Sequence, residues 1–131
     1  MELEILDHVG LNVADVERSI RWYEDVLGLQ RTHEEVWGAF PAVLEANGSG
    51  VALFPRDGAT RVPPPREADD MSHVGFRTSR AGLERAGDEM RARAIDFHEG
   101  AYGVAWSIYF DDPDGHQIEI TTYEPPSPAQ A

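Results

Sequence analysis

His8, His73 and Glu119 are the residues of this 131-residue chain best suited to joint chemistry. Two imidazoles and one carboxylate form the set that holds a divalent ion on one side and leaves its other positions open to substrate. A lone histidine on a strand is more often structural. Here two recur at matching places, because His8-Val9-Gly10-Leu11 is echoed 65 positions later by His73-Val74-Gly75-Phe76. Strand side chains alternate faces with period two. Val9, Leu11 and Val13 then oppose His8, Gly10 and Asn12, and Val74 and Phe76 oppose His73, Gly75 and Arg77. In the last strand Ile118 and Ile120 oppose Gln117, Glu119 and Thr121. With the apolar sets packed under helices, both histidines and the glutamate share uncovered faces. A carboxylate inside an otherwise apolar strand is costly to bury without a partner.

The elements that must position these residues are written twice. After the first histidine strand Asp15 can cap a helix whose stripe is Val16, Ile20, Tyr23 and Leu27, with Gly28 as its stop. After the second, Ser79 can cap a helix with the stripe Leu83, Ala86, Met90 and Ala94, weakened by Gly82 and Gly87. Three strand-like runs follow each helix, over 29–37, 40–46 and 50–55, then 95–100, 103–111 and 116–123. The chain is expected to be one domain over 1–131, with module one at 4–55, an extended linker at 56–71 around Pro63-Pro64-Pro65, module two at 72–124 and a disordered tail at 125–131.

Composition removes whole classes of function. There are 24 acidic residues against 11 basic ones, a net charge of −13, which argues against nucleic acid or an anionic membrane as partner. All the basic residues are arginine, so Schiff-base lysines and lysine phosphate loops are excluded. There is no cysteine, hence no thiol nucleophile, zinc ribbon or disulfide. The acidic start Met1-Glu2-Leu3-Glu4 reads as the approach to a strand rather than a signal peptide. With no apolar run near the ~20 residues of a membrane helix, a cytoplasmic protein is expected.

Three stretches carry a family resemblance: Asp7-His8-Val9-Gly10-Leu11-Asn12-Val13, Trp22-Tyr23-Glu24-Asp25-Val26-Leu27-Gly28-Leu29, and Tyr109-Phe110-Asp111-Asp112-Pro113-Asp114-Gly115 followed by Glu119. Together they resemble the vicinal oxygen chelate superfamily of glyoxalases, bleomycin-resistance proteins, fosfomycin transferases and extradiol dioxygenases, over roughly residues 4 to 124. The resemblance implies an α+β fold of two tandem βαβββ modules forming a cupped mixed β-sheet with helices outside. It also implies metal ligation by His8, His73 and Glu119, and often a homodimer whose linker could permit module exchange. The ion is one divalent metal, and Fe, Mn, Zn and Ni all suit such ligands.

The chemistries of that superfamily do not match the chain equally. Glyoxalase I has a fourth ligand on the last strand of its first module; the offset of 65 carries Glu119 back to Phe54, and Val51-Ala52-Leu53-Phe54 offers no donor. Fosfomycin transferases share the Asp112-Pro113-Asp114-Gly115-His116 stretch, yet want a hydroxyl at Gly10 and a lysine that is absent. Bleomycin-type binders use a metal-free apolar cleft, which Trp37, Phe40 and Trp106 could line as substrate-binding residues or else fill as core. Extradiol dioxygenases match best. They carry a tyrosine ten residues before the glutamate, here Tyr109, whose phenol either bonds a substrate oxygen as a catalytic group or packs. Their further acid/base histidine would fall on Gly58, leaving His98 or His33 as substitutes. Arg77 and Asn12 share the ligand faces and are candidates to bind a small-molecule substrate, with rim positions as the alternative; His116 reads as non-catalytic. The expected function is therefore a metal-dependent enzyme of extradiol-dioxygenase type acting on vicinal oxygens. A metal-free binding protein and a glyoxalase-type lyase or isomerase are the alternatives.

Overall fold

The computed structural model describes residues 1–2, 4–56 and 71–128. It divides the chain into two compact units, Met1–Glu67 and Ala68–Ala131. The linker expected at 56–71 lies outside the described residues apart from its two ends. Of the expected tail, 125–128 carry neither strand nor helix, and 129–131 lie outside the described residues.

The first unit runs β1 (His8–Val13), α1 (Val16–Asp25), β2 (Gln30–Thr32), α2 (Glu34–Trp37), β3 (Ala42–Ala46) and β4 (Ser49–Pro55). Its sheet has the order β1-β4-β3-β2, with β1 and β4 parallel and the other pairs antiparallel. Asp15 caps α1 by accepting the Arg18 N–H at 3.1 Å. Ile20 and Tyr23 of the stripe are buried, while Val16 and Leu27 are half-buried at its ends. They pack with Leu11, Val13, Leu44, Val51 and Leu53, the alternate residues of the strands.

The second unit repeats that plan with β5 (Val74–Arg77), α3 (Arg80–Ala92), β6 (His98–Tyr102), β7 (Ala105–Asp111) and β8 (Gln117–Thr122) in the order β5-β8-β7-β6. Ser79 caps α3 by accepting the Gly82 N–H at 3.0 Å. Leu83 and Met90 are buried under it with Ile108, Phe110 and Ile118. Ala94, the expected end of the stripe, lies past the helix at φ 55°. The fold is α+β, two four-stranded mixed sheets, the first with two helices and the second with one, as the family resemblance implied.

Two expectations need correction. The run 29–37 is a strand only as far as Thr32; Glu34–Trp37 form a short helical turn after His33, whose φ of 62° ends the extended backbone. Arg31 holds that turn from the strand, meeting Glu34 at 2.8 Å and donating to the Gly38 carbonyl at 2.9 Å. The offset of 65 also fails at the last strands. Gly75 pairs with Glu119, whereas its counterpart Gly10 pairs with Ala52, so Ala52 rather than Phe54 stands where Glu119 does. The reason is unequal connections: Ala52 pairs across its hairpin with Val43 and Glu119 with Tyr109, so the second module gains one residue in the hairpin and one before it. Alanine supplies no donor either, so module one still lacks a fourth ligand.

Gly50 sets the approach of β3 to β4. A Cβ there would collide with the Leu44 carbonyl oxygen and stand 2.7 Å from Glu45 Cα, both backbone atoms that cannot move aside. Gly50→Ala is expected to cost about 1–3 kcal/mol, the range for forced overpacking, read as a lowered midpoint of urea unfolding. An unchanged midpoint would mean that β3 and β4 pair more loosely.

Candidate metal centre

β7 and β8 are clamped by the turn between them. Asp112 is buried, and its Oδ1 accepts the N–H groups of Asp114 at 2.9 Å and His116 at 2.8 Å, which assigns His116 to the turn. The register that follows sets Tyr109 directly across from Glu119 and Ser107 across from Thr121. All four side chains share the face away from α3, and the pairing of Gly75 with Glu119 brings β5 alongside. Gly75 lets Glu119 lie close, because a Cβ there would stand 3.1 Å from Glu119 Oε1 and press on that carboxylate.

The two oxygens of Glu119 are used differently. Oε2 accepts the Ser107 hydroxyl at 2.6 Å and the Tyr109 hydroxyl at 2.9 Å. Ser107 also lies 2.8 Å from the Thr121 hydroxyl, which extends the chain of hydrogen bonds. Oε1 is left to face His73 Nε2 at 3.1 Å. Two donors each ~2.1 Å from one ion lie roughly 3 Å apart when they subtend a right angle at it. The pair therefore fits a shared ion. Glu119 is 15% exposed and His73 37%, so the pair is sheltered yet open on one side.

Both histidines are oriented alike. His8 Nδ1 donates to Asp7 Oδ2 at 2.8 Å, which leaves Nε2 with its lone pair. His73 Nδ1 is 2.8 Å from the Ser72 hydroxyl, which can accept from or donate to it and so serves either tautomer. In each module the residue just before the histidine thus engages Nδ1, and in the first module this leaves Nε2 with its lone pair. His8 belongs to the first unit, on the face of β1 shared with Gly10 and Asn12. Within the second unit no third His, Asp or Glu among the described residues joins His73 and Glu119.

Tyr109 is held as a neutral phenol. Desolvation comes first among the causes that push its pKa up, followed by hydrogen bonds with Glu119 and Tyr102 and the charge of Glu119, against a smaller lowering by Ser107. At neutral pH it stays a proton donor to Glu119. The other face residues gather around it. His98 stacks on the Tyr109 ring at 5.0 Å and 13°, which gives this histidine a definite side of the sheet. Arg77 shares the face, its guanidinium 4.8 Å from the Tyr123 ring centre.

Trp106 does not join them. It alternates with Ser107 and Tyr109 and so stands on the helix side, under the Arg80 guanidinium at 5.1 Å. That position separates it from the Glu119 face and from the substrate-binding place expected for it. Trp37 and Phe40 lie in and after α2, exposed, with Trp37 against His33 at 5.2 Å. His33 is in a turn rather than a strand. Asn12 is exposed beside Phe54 on the His8 face. Asp7, Ser72, Ser107 and Thr121 were missed by sequence reasoning. The signals were there: a polar residue before each histidine, and hydroxyls two positions from Tyr109 and from Glu119 on the same strand faces.

Tyr109→Phe is expected to weaken divalent-ion affinity about tenfold, the lower end for groups that hold a metal ligand in place. Zn²⁺ titration calorimetry checks it; unchanged affinity would mean that the Glu119 carboxylate is set by Ser107 alone.

Comparison with known proteins agrees with this fold. The family model of the Glyoxalase/Bleomycin resistance protein/Dioxygenase superfamily matches residues 5–120. The chain is 29% identical over 118 residues to the glutathione transferase FosA of Serratia marcescens, covering 90% of this chain and 80% of that one. It is likewise 29% identical over 126 residues to the metallothiol transferase FosB of Lysinibacillus sphaericus, covering 93% and 84%. Its fold is similar to the crystal structure of a glyoxalase/dioxygenase from Nostoc punctiforme, with a TM-score of 0.75 and 24% identity over 93% of this chain and 92% of that one. The chain belongs to the Glyoxalase/Bleomycin resistance protein/Dioxygenase superfamily. Fosfomycin-type transferases, which the missing lysine and Gly10 had set aside, are thus among its sequence relatives. No helix among the described residues is long and apolar enough to cross a membrane.

Proposed function

We propose that the chain is a divalent-metal-dependent enzyme in which His8, His73 and Glu119 hold the ion and the substrate is a small molecule with vicinal oxygens. The carrying observation is the preorganised pair: His73 Nε2 facing Glu119 Oε1 at 3.1 Å, while hydroxyls occupy Oε2. When bound, the ion supplies Lewis acidity toward two neighbouring substrate oxygens. The chain's own residues do the remaining work. Ser107 and Tyr109 keep Glu119 turned so that one oxygen is free. Tyr109 gives its one hydroxyl hydrogen to Glu119 and stays an uncharged phenol beside it. Arg77 at the open end suits a weakly anionic substituent, while the net charge of −13 disfavours strongly anionic substrates.

Two reaction types have specific support. Thiol transfer is favoured by the relatives named glutathione transferase and metallothiol transferase. Fosfomycin itself is disfavoured as the substrate, because the chain has no lysine and carries Gly10 where those transferases want a hydroxyl. Oxygen-dependent ring cleavage is favoured by Tyr109 with His98 stacked on it, which supplies an imidazole on the Glu119 face for proton transfer.

The test is metal content followed by two assays. Purified protein is expected to take up close to one divalent ion per chain. The Fe²⁺-loaded protein is then screened for oxygen uptake with catechols, and the Mn²⁺-loaded protein for glutathione consumption with epoxides. Activity in one assay assigns the reaction type. A protein that takes up no divalent ion under any loading condition contradicts the proposal and favours a metal-free binding protein.

A further inference from the structure

Gly100 and Tyr102 share a face of β6 with His98, and it is the face that carries Tyr109 and Glu119. Strand side chains ordinarily stand off perpendicular to the sheet. Tyr102 instead folds back along its own strand, so that a Cβ built on Gly100 would run into the Tyr102 ring, with Cε2 and Cζ both at 2.6 Å. The ring then stands edge-on to Tyr109, centroids 6.3 Å apart at 82°. His98 covers one face of Tyr109, and His73 stands edge-on at 6.0 Å and 86°. Tyr109 therefore has rings on three sides, next to Glu119. Tyr102 remains 59% exposed in this position, held by its hydrogen bond with Tyr109 rather than by burial.

We infer that Tyr102, laid over Gly100, is a specificity-determining wall of the Glu119 site and selects substrates with a flat ring. This rests on the metal-dependent function proposed above. A flat ring gains offset or edge-to-face contacts from aromatic walls; a small chelating anion gains nothing from them and meets the acidic surface instead. Gly100 is the enabling residue, since any side chain there displaces the wall.

Two chelating probes on Zn²⁺-loaded full-length protein test this: 4-nitrocatechol, which has a ring, and oxalate, which has none. Tyr102→Ala is expected to weaken 4-nitrocatechol about tenfold and to leave oxalate and Zn²⁺ affinity within about twofold. Gly100→Ala is expected to give the same selective loss, and Tyr102→Phe, which keeps the ring, to retain nearly all the binding. Equal losses for both probes, no loss in Tyr102→Ala, or a Zn²⁺-loaded wild type that ignores 4-nitrocatechol would each overturn the inference while leaving the metal centre standing. A wild type that takes up no Zn²⁺ overturns the metal-dependent function, and this inference with it.

Discussion

Replacing Glu119 by alanine is expected to lower divalent-ion affinity by more than about 100-fold, beyond the ~10–100-fold typical of groups that merely hold a ligand in place. Glu119 offers the carboxylate oxygen that faces His73 Nε2 at 3.1 Å, and its other oxygen is already engaged by Ser107 and Tyr109. The substitution also removes the carboxylate acceptor of both hydroxyls, leaving Ser107 only the Thr121 hydroxyl, at about 1–3 kcal/mol of metal-free stability. Glu119→Gln separates the effects, because it keeps an acceptor for the hydroxyls and removes only the anionic donor. Both variants are to be compared with wild type by Zn²⁺ calorimetry and urea unfolding. Affinity within threefold of wild type in Glu119→Ala would remove this residue from the ligand set.

The largest loss of stability is expected one residue earlier and on the other face. Ile118 is fully buried, paired with Val74 on one side and Phe110 on the other, in the layer beneath α3. Ile118→Ala removes methyl and methylene groups from a close-packed site and leaves a cavity, at about 2–5 kcal/mol; Ile118→Val should cost only about 0.5–1.5 kcal/mol. Urea unfolding of the two variants gives the graded series. Equal, sub-kilocalorie effects would mean that the helix does not seal this face.

Much of the frame was legible because burial writes itself into sequence with period. His8 opening β1 and His73 just before β5, the caps Asp15 and Ser79, and the buried pairs Ile20–Tyr23 and Leu83–Met90 all follow from alternation and helical spacing. What alternation could not give was register. Pairing depends on the lengths of all the connections, which differ between the modules, so a constant offset pointed to Phe54 when the sheet puts Ala52 opposite Gly10. Nor could it foresee the α2 turn, since Glu34-Glu35-Val36-Trp37 is apolar and polar enough for either element, and the φ of 62° at His33 decides it.

The site was half legible for the same reason. Alternation alone put Glu119 on the face opposite Ile118 and Ile120. It could not say that Ser107 and Tyr109 would share one of its oxygens, because that depends on β7 lying beside β8 in a given register. Trp106 shows the converse: its ring suited a ligand cleft, but its parity within β7 turns it to the helix.

The claim beneath the whole account is that His8, His73 and Glu119 meet on one ion. X-ray absorption of the Zn²⁺-loaded wild-type protein reads that shell directly. The account expects two imidazole nitrogens at about 2.0–2.1 Å and a carboxylate oxygen at about 2.0–2.2 Å, with one imidazole lost in His8→Ala and one in His73→Ala. A shell with a single imidazole, or one unchanged by His8→Ala, would contradict it.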